Sequence, residues 1–419
     1  MLSPEQIAAC RKQFPGLSRI VAGREAVFLD GPAGTQVPEA VIEAVSVHLA
    51  FANANHGGLF ATSIENDAVL EDAHRAAADL FGVEDAHTTY FGANMTSLTF
   101  ALSRTLGRTW SPGDEIIVTR LDHDANIRPW VLAARDAGAT VRWIDFHPED
   151  CTLNLEQLRD TLSSKTKLLA VGCASNSTGG INPVQEICRW AKAAGALVFL
   201  DAVHYAPHAL LDIPAWGCDF LACSAYKFFG PHVGILWGRR ELLEGLEAYK
   251  VRPAPNDLPG KWMTGTQNHE GIAGVLAAID YLAVLGRTAA EDSTLPRRAA
   301  LEAAFAAIRE YEQALTARLL AGLADWPEIR VWGITEGSRL AERLPTVSIT
   351  HAALPAEELV GRLAKAGIFA WHGNYYALEL SEALGREPAG MVRLGLVHYN
   401  TAEEVDYLLE TLRRIASSS

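Results

Sequence analysis

Between residues 26 and 240, short apolar runs alternate with longer segments whose apolar residues recur at helical spacing. The runs "AVFL" (26–29), "TTYF" (88–91), "EIIVT" (115–119) and "VRWID" (141–145) read as strands. So do "KLLAVG" (167–172), "ALVFLD" (196–201), "DFLACS" (219–224) and "GILWG" (234–238). Helices are predicted between them over 64–81, 94–107, 126–137 and 183–194. Several runs are apolar throughout, the pattern of a sheet covered on both faces. The alternation predicts an α/β domain around a mostly parallel sheet. After residue 265 the pattern changes to two long helices, 267–286 and 300–323. A smaller α/β section follows, with strands near 329–332, 345–350 and 391–397 and helices near 356–366 and 401–415. The Pro-rich stretch "VRPAPNDLPGKW" (251–262) marks the boundary.

A chain of 419 residues exceeds what one hydrophobic core supports. The expected division is a large domain over 21–265, and a small domain with connecting helices from 1–20 and 266–419. The N-terminus opens as a helix: Ser3 has the position of an N-cap, Pro4 the first turn, and Gln6 completes a capping box. It lacks the basic-then-apolar order of a signal peptide, and no unbroken apolar run reaches the length of a membrane span. A cytoplasmic protein is expected. A net charge of −14 excludes general nucleic-acid binding, which needs basic stripes. The six cysteines form no Cys-x-x-Cys pair and have no histidine ladder, so neither a metal site nor a disulfide framework is expected.

Ligands of open α/β sheets sit beyond the carboxyl ends of the strands. Asp201 ends one predicted strand, and Lys227 closely follows the next, in "CSAYKFFGP" (223–231). His123 follows "EIIVT", and Gly92-Ala93-Asn94 opens a helix after "TTYF". A lysine, an aspartate and a helix N-terminus at neighbouring strand ends are what pyridoxal 5'-phosphate (PLP) needs. The lysine forms a Schiff base, the aspartate keeps the pyridine nitrogen protonated, and the helix N–H groups take the phosphate.

The quoted residues also carry a family likeness. "LDAVHYAPH" (200–208) followed by "CDFLACSAYKFFGPHVGILWG" (218–238) resembles the fold type I PLP enzymes of aminotransferase class V, the cysteine desulfurase branch above all. "LDHDANIRPW" (121–130), "GTQN" (265–268) and "VRLGLVHYNTAEEVD" (392–406) resemble further elements of that branch, in the same order. The resemblance implies that Lys227 is the Schiff-base lysine, that Asp201 pairs with the pyridine nitrogen, and that His123 stacks on the ring and shuttles protons. It gives Ala93 (through its backbone), Asn94 and Ser224 to the phosphate, with Tyr226 either reaching the phosphate or packing. His204 stands where the branch has a glutamine contacting the phenolic oxygen. Asn176 is placed near that oxygen or the substrate carboxylate, which Arg393 grips with its fork of N–H donors. Thr266 reaches the phosphate of a neighbouring subunit, which implies a homodimer with shared active sites.

Two departures bear on the reaction. The segment preceding Arg393, "GIFAWHGNYYALELSEALGREPAGM" (367–391), has no cysteine where the desulfurases carry their nucleophilic thiol. In "FANANHGGLFATS" (51–63), Gly57 follows His56 where the branch has an arginine. Asn55, His56, His372 and Asn374, with Trp371 and Tyr375, are the candidate substrate contacts in their place. The expected activity is PLP-dependent carbanion chemistry at Cα of an α-amino acid, foremost a lyase cleaving C–S or another β-bond. Cysteine desulfurase or selenocysteine lyase, epimerase and aminotransferase are the alternatives. A non-catalytic PLP-binding protein fits poorly with Lys227, Asp201, His123 and Arg393 all being present.

Overall fold

The structure, a computed structural model, describes residues 2–417. Its main sheet has seven strands: β1 (Thr89–Gly92), β2 (Glu115–Thr119), β3 (Thr140–Ile144), β4 (Thr166–Gly172), β5 (Leu197–Asp201), β6 (Phe220–Ser224) and β7 (Gly234–Gly238). They lie in the order β1-β7-β6-β5-β4-β2-β3. All neighbours are parallel except β7, which runs antiparallel to both β6 and β1. Alternate side chains feed the two faces. Val198, Leu200, Leu221 and Cys223 enter one buried cluster, Phe199, Phe220 and Ala222 the other. Each fully buried Phe or Leu contributes about 1.5–3 kcal/mol, so this two-sided burial fixes the strand register.

The reversed β7 has a local consequence. Its first residue, Gly234, lies between Ser224, the last of β6, and Gly92, the last of β1. Three small residues thus meet at one edge of the sheet, beside the Met95–Gly107 helix.

The helix His269–Ala290 packs against Glu39–Phe51, Ala61–Phe81 and Arg297–Ala324. Among the described residues it is the one helix long and apolar enough to cross a membrane, although Asp280 interrupts its apolar run. Most of its apolar window is buried among these neighbours, as in the core helix of a globular fold.

A second, fully antiparallel sheet consists of β8 (Ile329–Trp332), β9 (Thr346–His351), β10 (Trp371–Gly373) and β11 (Met391–Gly395), in the order β8-β9-β11-β10. Its core joins Val347, Ile349, Val392 and Leu394 to Leu315, Leu319, Leu363 and Leu408.

One segment changes place relative to expectation. Val27–Phe28, the centre of the first predicted strand, pairs with Ile368–Phe369, and Val27 and Leu29 lie in the core of this second sheet. The N-terminal helix Pro4–Arg11 has its capping box, with Gln6 N–H donating to Ser3 Oγ at 3.2 Å and Ser3 N–H to Gln6 Oε1 at 2.8 Å. It packs on His269–Ala290, and Ile7, Cys10 and Phe14 join the buried cluster that also holds Ile272, Val275 and Ile279 of that helix. The helix Glu39–Phe51 was not anticipated: only Val41 and His48 are buried, so no single apolar face announces it.

Candidate active site

Asp201 closes β5 and is buried, with its Oδ1 accepting the Val203 N–H at 2.9 Å. Burial raises its carboxyl to about 6, against the opposing pull of that hydrogen bond and of Lys227. Lys227 ends the short turn Ala225–Lys227 after β6; its Nζ donates to the Pro32 carbonyl and lies 5.0 Å from the Tyr226 ring. Burial, reinforced by the charge of Arg393 and opposed by Asp201, brings its amine down to about 7. An amine so placed is largely unprotonated just above neutrality and available as a nucleophile.

At the Gly92–Gly234–Ser224 edge, Met95 N–H donates to Ser224 Oγ at 3.0 Å. Asn94 caps its helix, with Oδ1 accepting the Ser97 N–H at 2.9 Å. Its NH2 group is therefore the part left to meet an anion. A Cβ on Gly234 would lie 2.4 Å from the Asn94 carbonyl carbon, so only glycine allows the strand to approach this helix start. Ala93 and Thr266, both exposed, line one hollow of about 450 Å³ together with Gly92, Ser97 and His232. The Tyr226 ring stacks on His232 with centroids 5.1 Å apart, which is the packing alternative for this residue.

Two histidines face the same region. His123 Nδ1 accepts the Ala125 N–H at 3.0 Å, which leaves the proton of the neutral ring on Nε2. Burial and the nearby charges of Lys227 and Arg393 lower this imidazole to about 4. The ring stacks on Tyr376, with centroids 5.4 Å apart. His204 is buried and held neutral mainly by desolvation, and its Nε2 has no partner.

Arg393 lies on β11, where its Nη1 donates to the Asn176 carbonyl at 2.9 Å. Asn176 Nδ2 donates to the Tyr375 carbonyl at 2.9 Å, while its Oδ1 is buried without a partner. The Tyr375 ring lies over the guanidinium, and its hydroxyl donates to the Met391 carbonyl. Strand pairing separates the other candidates. Trp371 stands opposite Arg393 on the site face, whereas His372 stands opposite Val392, whose side chain enters the core. Facing pairs share a face, so His372 is turned away from Arg393, contrary to expectation. Asn374 shapes the loop through its Oδ1, which accepts the Tyr376 N–H at 3.0 Å. Asn55 and His56 are exposed in a surface turn held by Asp67 and Ser63, and this chain does not bring them to the cluster. The left-handed Gly57 (φ +80°) forms that turn.

Three contributors escaped sequence reasoning. Asp122 is buried between strand ends, accepting the Gly172 N–H at 2.8 Å and the Asn126 amide at 3.3 Å. Burial and the neighbouring Asp201 push it to about 8. Asp30 has a buried, unpartnered Oδ1 and is raised to about 6 by burial, with Arg393 opposing the shift. Tyr376 is the third. The strand-end positions of both aspartates were a usable signal; nothing in the local sequence announces Tyr376.

The residues present fit PLP. A buried polar atom without a partner costs about 1–3 kcal/mol, and His204 Nε2 and Asn176 Oδ1 both bear that cost beside a near-neutral lysine and a strand-end carboxylate. A ligand presenting an aldehyde, a ring nitrogen, a ring oxygen and a phosphate would use each of these features. All six cysteines, by contrast, are buried free thiols, none of them in 367–391.

Over residues 27–303 and 298–408 the sequence matches the Aminotransferase class-V family. The aminotransferase-like protein FGM3 of Gibberella zeae is 33% identical over 420 residues, which cover 97% of both chains. A cysteine desulfurase of Serratia proteamaculans is 32% identical over 424 residues, covering 98% of both. The crystal structure of the cysteine desulfurase CsdA of Escherichia coli superposes with a TM-score of 0.84 at 26% identity, covering 98% of each chain. The apo cysteine desulfurase of Thermococcus onnurineus superposes with a TM-score of 0.87 at 24% identity, covering 100% of this chain and 99% of the other.

Proposed function

The chain belongs to the aminotransferase class-V family, whose members are PLP-dependent enzymes, and we propose that it is a lyase that cleaves a β-bond, foremost C–S, of an α-amino acid. The observation carrying this reading is the thiol distribution: no cysteine lies in the loop before Arg393, and all six are buried. Burial raises the Cys151, Cys173, Cys188, Cys218 and Cys223 thiols well above their ordinary range. A thiolate that accepts sulfur must be ionised and exposed. Without one, sulfur leaves as sulfide rather than as a protein persulfide.

Bound PLP supplies an electron sink for the pair released when the Cα proton departs. Lys227 would hold the cofactor's aldehyde carbon and, once freed by the substrate, take the Cα proton on Nζ. Asp201 would hold the proton on the pyridine nitrogen, and His204 would donate from Nε2 to the ring oxygen. Ser224, Ala93 and Asn94 at the helix start would take the phosphate. Arg393 would grip the α-carboxylate, since Asn176 engages only one of its nitrogens. His123, neutral with its proton on Nε2, would cover the ring and pass protons toward the leaving group.

A cytoplasmic homodimer is part of this proposal. Exposed apolar residues concentrate in one segment, with Ile42, Val47, Phe51, Leu59, Phe60 and Ile64 between 47% and 98% accessible. Such concentration marks an interaction surface. Asn55 and His56 stand in its middle and Thr266 is exposed, which suits residues shared with a second subunit.

Incubating the PLP-loaded protein with L-cysteine tests the reaction. Pyruvate, ammonia and sulfide, all lost in Lys227→Ala, are expected. Alanine with sulfane sulfur would instead assign desulfuration to an external acceptor thiol, the reading favoured by the desulfurase relatives. An unchanged amino acid with exchanged Cα hydrogen would point to epimerisation, and a keto acid that retains sulfur to transamination.

A further inference from the structure

Behind His204 the polar structure continues away from the site. The ring of His208 meets that of His204 edge to face, with centroids 5.6 Å apart. His208 Nδ1 lies 2.9 Å from Glu312 Oε2 on the long helix Arg297–Ala324, and both side chains are 2% exposed. Glu312 Oε1 has no partner. Both residues border a cavity of about 10 Å³ beside Arg309 and Arg343, about the room one water requires. A buried acid facing a buried imidazole, with one oxygen unused, is costly unless it has work to do. Packing of helix against sheet could have been met by apolar residues.

We propose that Glu312 and His208 are positioning residues for the cofactor site, a buried pair that fixes the orientation of the His204 ring and thereby sets the proton affinity of the group His204 faces. The inference rests on the PLP reading of the site. With His208 Nδ1 held by Glu312, the second imidazole sets a defined edge against the His204 ring and keeps Nε2 of that ring directed at the ligand. The groups facing the pair are His204, the buried His398 with its amide toward the carboxylate, and the guanidinium groups of Arg309 and Arg343 at the cavity. His204 in turn feels Lys227, Arg393 and His123.

The test is a spectroscopic pH titration of the PLP-loaded full-length protein, comparing wild type, Glu312→Gln and His208→Asn. Tyr311→Phe, on the same helix, is the control, since its hydroxyl serves Asn400. Removing the carboxylate or breaking the pair should lower the midpoint of the visible absorbance by about one pH unit, a tenfold loss of proton affinity, with Tyr311→Phe unmoved. An unmoved midpoint in both variants, with circular dichroism and cofactor content intact, overturns the proposal. If Glu312→Gln fails to fold, His208→Asn decides, because it keeps a donor for Glu312 while removing the imidazole. A wild type with no visible band would defeat the cofactor reading itself, whereas a normal band with an unresponsive midpoint would defeat only the role of the pair.

Discussion

The ring of Tyr375 lies 4.2 Å from the guanidinium carbon of Arg393, so the cation proposed to receive the substrate's carboxylate already has an aromatic face against it. That contact holds the planar fork in one orientation while burial strips it of water. Arg393→Lys should therefore raise KM for an α-amino acid by roughly ten- to a hundredfold, the equivalent of about 1.5–3 kcal/mol, with a smaller change in kcat. Steady-state kinetics on an amino acid and on the matching amine, which has no carboxylate to lose, separate this effect from general damage.

Lys227 predicts a pH profile for cofactor capture. Its amine is lowered to about 7, so the unprotonated, nucleophilic form takes over as pH rises through that value. The rate of PLP incorporation into the apo protein, followed by absorbance between pH 5.5 and 8.5, should climb about tenfold per unit below the midpoint and level off above it. A midpoint near the ordinary lysine value would show that the site is open to water.

Asp201 predicts opposite effects on stability and on binding. Its carboxyl is raised from 3.8 to about 6, so the folded state binds this proton more tightly than the unfolded chain does. The associated stability is complete below pH 4 and is lost as pH rises through about 6. Asp201→Asn should stabilise the apo protein at pH 7.5 by on the order of 1–3 kcal/mol and leave it unchanged near pH 4. The same variant should bind PLP more weakly. Melting curves of apo and loaded protein at both pH values check the two signs.

The thiols give a chemical prediction. Ellman's reagent should find almost no reactive cysteine in the native protein and all six in guanidinium chloride. A native thiol that reacts within seconds, and whose replacement by serine stops turnover, would transfer the protein to the desulfurases proper.

Gly234→Ala tests the phosphate edge. Its new methyl would sit 2.4 Å from the Asn94 carbonyl carbon, against backbone that cannot yield cheaply. Overpacking of this kind costs about 1–3 kcal/mol. Because the displaced element is the proposed phosphate cradle, PLP affinity should fall by more than the loss of melting temperature implies, as fluorescence titration would show.

The large sheet was legible because its inner strands are buried on both faces. "EIIVT" and "GILWG" match Glu115–Thr119 and Gly234–Gly238 without error, since continuous apolar runs bounded by polar turns leave little choice. "AVFL" has the same local pattern, yet its partner is Ile368–Phe369, and a pairing across that much chain leaves no local trace. The site divides in the same way. Lys227, Asp201, His123 and Arg393 stand at strand ends or on a strand, where topology aims side chains predictably. His372 was misjudged because the face of an edge strand depends on register, and a shift of one residue exchanges Trp371 for His372. Glu312 and His208 are 104 positions apart, and only the folded helix makes them neighbours.

Tyr375 and Tyr376 both have left-handed backbone, with φ of +57° and +60°, a conformation bulky residues adopt only when their surroundings compel it. Their carbonyls are held by Asn176 and by the Asp124 N–H, from the segments that follow strands of the main sheet, at 2.9 and 2.7 Å, while the Tyr375 hydroxyl is anchored to Met391 of the second sheet. The loop is thus a rivet between the two halves. If the side of the molecule carrying β11 swings outward to admit a substrate, the tyrosine carbonyls must leave Asn176 and Asp124, Arg393 must leave the Asn176 carbonyl, and the Tyr376 ring must leave His123, all in the same movement. Freeing the Arg393 fork from Asn176 and uncovering the imidazole are then a single mechanical event, and a label on exposed Tyr376 would report both at once.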